Sequence, residues 1–228
     1  MTESEWLACA EPQPMLKFLN GKVSDRKLRL FAVACCSTLG HLLVPQATDL
    51  LSVAEQFADG IAGAEERKHA REKAFGLAWV SDQSAAHRRG PAKSAVCKAL
   101  ARRACEAAEG AARIAIHLRG IETDLGRGWP WGSDEGKAIH SADVAEVLRD
   151  IFGNPFRPVA VHPAWLTSDV LRLAEFIYQE KAFYLMPILA EALLQDAGCD
   201  NEEILNHCWQ SGEHVRGCWV VDLLTGRK

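Results

Sequence analysis

The chain reads as an all-α protein. Apolar residues recur at three- and four-residue intervals through most of its length, and sustained apolar–polar alternation is absent outside the C-terminal tail. Glycine and proline are concentrated in a few short segments that separate one helical stretch from the next.

The elements follow in order. Ser24-Asp25 opens a helix with Leu28, Phe31, Cys35, Thr38 or Leu39, and Leu42 on one face, and Pro45 ends it or begins the next. Leu50, Leu51, Ala54, Phe57 and Ala58 continue at helical spacing, with Gly60 placed as a stop. A further helix is expected from Ala64 to Val80. The longest is expected from Pro91 to Leu118, where Ala104, Ala107 and Ala111 allow a neighbouring helix to approach closely, as in an antiparallel bundle. Residues 120–136 hold five glycines, Pro130, Trp129 and Trp131, and read as a loop. A helix from Ser141 to Phe152 is stopped by Gly153, and the three prolines of Asn154–Pro163 forbid regular helix there. Short helices fit Ser168–Lys181, Pro187–Ala197 and Asn201–Cys208, and the tail Cys218–Leu224 fits a helix or a strand. The expected organisation is a helical bundle over 1–120, a Gly/Trp-rich loop over 121–137, and a smaller, loop-rich helical part over 138–228 packed with the first.

Bulk properties narrow the function classes. With 48% hydrophobic and 25% charged residues over 228 positions, the chain has the composition of a globular protein. A net charge of -4 gives no overall attraction to nucleic acid or an anionic membrane. The acidic start Met1–Trp6 lacks the pattern of a secretion signal. No apolar run approaches the roughly 20 residues that span a bilayer. A cytoplasmic protein with no membrane partner is the expectation. Of eight cysteines, Cys35, Cys36, Cys97 and Cys105 lie in helix-like apolar stretches, where cysteine acts as a small hydrophobe.

Chemistry concentrates near the C-terminus. Cys199, Cys208, His214 and Cys218 are spaced C-x8-C-x5-H-x3-C, four ligands of the type and number that suit tetrahedral zinc, with His207 as an alternative fourth. Glycines 212 and 217 allow a tight turn around an ion, and Trp209 and Trp219 directly follow two of the cysteines. The spacing resembles that of CCCH zinc fingers with the last two ligand types exchanged, a resemblance that implies single-stranded RNA binding. The intervening Asn201–Leu205 is acidic, unlike a finger that binds RNA. A helix over Asn201–Cys208 would also span about 12 Å and hold Cys199 and Cys208 at opposite ends.

Three functional readings follow. The leading one is a non-enzymatic binding or adaptor module, with or without a structural zinc as its one candidate cofactor, engaging a protein partner or a second copy of itself. Its expected binding surface comprises Trp129, Trp131, Arg157, His162, Arg216 and Trp219. A second reading is nucleic-acid association, because Arg67–Arg119 holds twelve Lys/Arg against four Asp/Glu. Arg88, Arg89, Arg102 and Arg103 would then meet phosphates. The third is an enzyme sited at the Asn154–Pro163 loop with His162 as acid or base. The nucleophile elbow, the H-E-x-x-H zinc motif and the Walker phosphate loop are all missing from the sequence.

Three stretches, Arg26–Cys36, Asp150–Pro158 and His214–Asp222, resemble a family of bacterial paralogues without an established activity. The resemblance implies that the chain is one evolutionary unit and transfers no catalytic residue.

Overall fold

A computed structural model describes residues 1–79, 86–125 and 133–228; for Trp79 and for residues 86–90 and 123–125 it describes the backbone only. The expected all-α class holds: among the described residues there are α-helices and short 3-10 and π turns, and no strand. No helix among them is long and apolar enough to cross a membrane. The chain divides into two compact units, Met1–Leu148 and Arg149–Lys228.

The first unit begins with α1 (Glu3–Ala8) and α2 (Pro12–Leu19). Thr2 and Glu5 form a capping box at the start of α1, which is how so short a helix satisfies its first N–H groups. At the centre lies α3 (Asp25–Ser37), with nine consecutive buried residues from Leu28 to Cys36. A helix buried on every side is a core helix. Both Cys35 and Cys36 are therefore buried, and burial pushes the Cys36 thiol up to about 12. Around it pack α4 (Pro45–Ala58), α6 (Ala86–Ala99) and α7 (Ala104–Leu125), with α5 (Ala64–Trp79) against α4 and α6. The alanines of α7 at 104, 107, 108, 111, 112 and 115 are all buried, as close helix packing requires.

Two expectations change here. The single helix over Pro91–Leu118 is two helices, broken after Ala99. The buried Arg29 donates to the carbonyls of Ala101 (2.8 Å) and Arg102 (2.6 Å), and Arg67 donates to that of Leu100 (2.6 Å). These carbonyls leave the helical ladder to accept from guanidinium groups whose burial without acceptors would be costly. Both guanidiniums also face the Phe57 ring, at 4.8 and 5.3 Å. The expected loop is shorter at both ends: α7 continues to Leu125 and α8 (Asp134–Phe152) starts at Asp134, so Gly120 and Gly136 are helical. Residues 126–132, with Trp129 and Trp131, lie outside the described residues.

The second unit takes in the last turn of α8, then α9 (Ser168–Glu180), α10 (Met186–Glu191) with a π turn at Ala192–Asp196, α11 (Glu202–Trp209) and α12 (Trp219–Thr225). The tail is thus a helix, closed by Gly226 in the left-handed region. Ile177, Tyr178, Leu189, Leu193, Ile204 and Val220 belong to one buried cluster. Arg216 and Arg227 lie over the Tyr178 ring at 4.3 and 4.0 Å.

Candidate metal centre

Three separate elements of the second unit bring four potential ligands together. The last turn of α8 supplies Asp150, and Gly153 closes that helix with a φ of 62°. Asn201 caps α11 by accepting the Ile204 N–H through Oδ1, and the helix so started carries His207 on its last turn. The turn after α11 supplies His214, and Cys218 stands as the N-cap residue of α12, reached through Gly217 at a φ of 97°. One ligand atom from each of Asp150, His207, His214 and Cys218 lies within 4.8 Å of all the others.

The contacts are short and inward. Asp150 Oδ1 is 2.6 Å from His214 Nδ1 and 3.1 Å from His207 Nε2. Its other oxygen accepts the Val215 N–H at 2.9 Å, which ties the turn to α8. His207 Nε2 is also 3.2 Å from Cys218 Sγ, and His214 Nδ1 is 3.9 Å from it. The two imidazoles meet edge to face with centroids 4.8 Å apart, and the Trp219 ring lies 5.1 Å from His207. Side-chain exposure is 2% for Asp150, 4% for His214 and 9% for His207, and Cys218 is fully buried.

The electrostatics follow from that burial. Burial alone would raise the Asp150 carboxyl, but hydrogen bonds from His207 and His214, and their charge when protonated, outweigh it and hold it below its ordinary range. The Cys218 thiol is pushed well up, first by burial and then by the Asp150 charge. His214 Nε2 is buried with no protein partner.

Ligands at bond lengths near 2.0 Å for N and O and 2.3 Å for S stand roughly 3.3–3.6 Å apart around a tetrahedral ion. The separations here bracket those values, so a metal needs small side-chain adjustments and no rebuilding of the backbone. A thiolate and two imidazoles select a borderline transition metal over calcium or magnesium. Four protein ligands in a closed, buried set leave no position for substrate, the pattern of structural sites. The set does not serve as a Cys-His-Asp nucleophilic relay: Cys218 and Asp150 both address the same nitrogen of His207, whereas a relay uses the two ring nitrogens separately.

Of the expected ligands, the structure brings His214 and Cys218 together, along with His207, the alternative fourth. Cys199 and Cys208 stand outside the group and are buried in the apolar cluster. Cys208 follows His207 on α11, and neighbours on a helix point about 100° apart, so only one of the two faces Asp150. Burial raises the Cys208 thiol to about 12. Asp150 escaped the sequence reading because it lies far from the others along the chain. One signal was present: an aspartate in the last turn of a helix opposes the macrodipole and calls for a compensating partner.

The remaining expected site residues have structural roles or lie elsewhere. Trp219 packs against Gly153, where a Cβ would stand 3.1 Å from the ring. His162 is exposed and accepts the Ala164 N–H through Nδ1 at 3.3 Å, capping a 3-10 turn. Arg157 is 3.9 Å from Glu203. Arg103 pairs with Glu106 at 3.5 Å, and Arg102 is exposed. The side chains of Arg88 and Arg89 lie outside the described residues. Comparison with protein-family models, with curated proteins and with solved structures returns no match, so the candidate metal centre rests on the chain's own geometry.

Proposed function

We propose that residues 149–228 hold a structural zinc ion at Asp150, His207, His214 and Cys218, and that the protein is a non-enzymatic helical binding module whose C-terminal unit is braced by that ion. The observation that carries this is the convergence of a carboxylate from the end of α8 with two imidazoles and a thiol from residues 207–218, all four side chains largely buried. A zinc ion would tie α8, α11 and the start of α12 to one point, and its binding energy would add to folding. The high thiol value of Cys218 makes loading proton-coupled, since the metal takes the thiolate and releases its proton. Support for a binding role over a catalytic one comes from the closed ligand set and from Cys218 having no route to a substrate.

Metal analysis of protein purified without added metal, followed by cobalt substitution, tests the reading. One equivalent of zinc, and a tetrahedral cobalt spectrum with a thiolate charge-transfer band that Cys218→Ala removes, are expected. Failure to bind zinc or cobalt at micromolar excess, with melting unchanged by chelator, would sink it.

A further inference from the structure

We propose that a basic groove in the first unit binds a compact linear polyphosphate, either the free inorganic anion or the phosphate tail of a nucleotide. The groove has a volume of about 570 Å³ and receives Lys17 from α2, Arg71 from α5, Lys98 from α6 and Arg113 from α7. That is within the range of small-ligand sites. All four cations are exposed, and none makes an ion pair or side-chain hydrogen bond among the described residues. Four like charges gathered from four helices repel one another, and an anion seated among them relieves that repulsion.

Carboxylates do not cancel the charge. Two carboxylates line the groove against the four cations, and one of them, Glu106, is shared with Arg103 at 3.5 Å. Ala101 also lines the groove, and the carbonyls that follow α6 there would present the negative end of a helix dipole. Arg29 and Arg67 cover those carbonyls and add their own charge to the field. The crowding is felt at Arg67: burial lowers its guanidinium most, and Arg71 and Arg102 lower it further.

The position of Lys98 is built into the fold. A Cβ at Gly110 would stand 3.0 Å from Lys98 Cγ and Cδ, so the glycine lets the lysine stem lie flat along α7. Phosphate groups spaced along a short chain present several charges to cations converging from different sides, and lysine and arginine are suited to them. The chain as a whole is acidic at -4, which favours a compact anion seated in the groove over a long nucleic acid.

Calorimetric titration of the full chain with inorganic triphosphate at 20 mM salt tests this, with ATP and a twenty-nucleotide single strand as parallel arms. One-to-one binding is expected, weakening at least tenfold in the double variant Lys98→Gln/Arg113→Gln. It should be unchanged in Lys68→Gln, which removes a charge outside the groove. Equal affinity for ATP and triphosphate assigns the site to the phosphates alone, and tighter ATP binding extends it to the nucleoside. No saturable heat, equal loss in the Lys68 variant, or more than tenfold tighter binding of the single strand would each overturn the proposal. None of these outcomes depends on the metal centre.

Discussion

Replacing Asp150 by Asn gives the most direct measure of how the C-terminal unit is held. The change is nearly isosteric but removes a buried negative charge that faces His207 Nε2, His214 Nδ1 and the Val215 N–H, at 3.1, 2.6 and 2.9 Å. An amide has one acceptor oxygen, so at least one donor is left unsatisfied and the amide NH2 is turned toward other donors. Removing one partner from a buried charged network costs about 3–5 kcal/mol. A unit running from Arg149 to Lys228 has about 4–12 kcal/mol of stability at typical values per residue. The substitution therefore removes a large fraction of what is available, and a melting decrease of roughly 12 °C or more is expected. Urea unfolding reports the total loss, and hydrogen exchange on the 212–218 turn reports its location, because the Val215 amide loses its acceptor. A loss below about 1 kcal/mol with unchanged exchange at Val215, both with added zinc and with chelator, would refute the account of Asp150 as the anchor of the turn.

Other consequences are as specific. If the centre holds zinc as proposed, Cys208→Ala should leave the zinc stoichiometry intact and lower stability by about 1 kcal/mol through lost packing, whereas Cys218→Ala should abolish tight metal binding; metal analysis of the two variants checks both. Gly153→Ala places a side chain at a φ of 62° and against the Trp219 ring, and should cost about 1–3 kcal/mol in denaturant titration. Glu175 is held at about 2, against an ordinary 4.5, first by its hydrogen bond from Arg227. A depressed carboxyl stabilises above its unfolded value, so this contribution is present above about pH 4.5 and disappears as pH falls toward 2. With a side chain 46% exposed, the pair is worth only about 1 kcal/mol after screening, and Glu175→Gln should reduce the acid sensitivity of urea unfolding between those limits.

What the sequence made legible is what local rules determine. Asn201 before an acidic, amphipathic stretch identifies α11 to within a residue, and Gly226 marks the end of α12, because caps and stops act over a single turn. The break between α6 and α7 was hidden because its cause is long-range: Arg29 is 72 residues from the Ala101 carbonyl it holds. The site divides the same way. His214 and Cys218 share one glycine-rich turn, and their proximity follows from it. Cys199 and Cys208 matched a spacing pattern, but spacing along a chain that includes a helix does not measure distance in space.

Asp150 supplies what the pattern lacked, and its position explains why this centre departs from a finger. In a finger the ligands come from neighbouring turns and the ion organises little beyond them. Here the carboxylate arrives on the end of α8, 64 residues before its partner His214. A bond to that oxygen closes a loop holding α9, α10 and α11. Loop-closure entropy grows slowly with the length of chain enclosed, so a clip at this point constrains a longer stretch of the unfolded chain than a local finger would, for about 1 kcal/mol more. The same logic assigns the Val215 N–H its role, since it fixes the second carboxylate oxygen and leaves the first to face both imidazoles. If the ion braces the unit in this way, chelation should raise hydrogen exchange in α9 and α10 as well as at the ligand turn. Exchange confined to residues 207–218 would mean that the centre organises only its own loop.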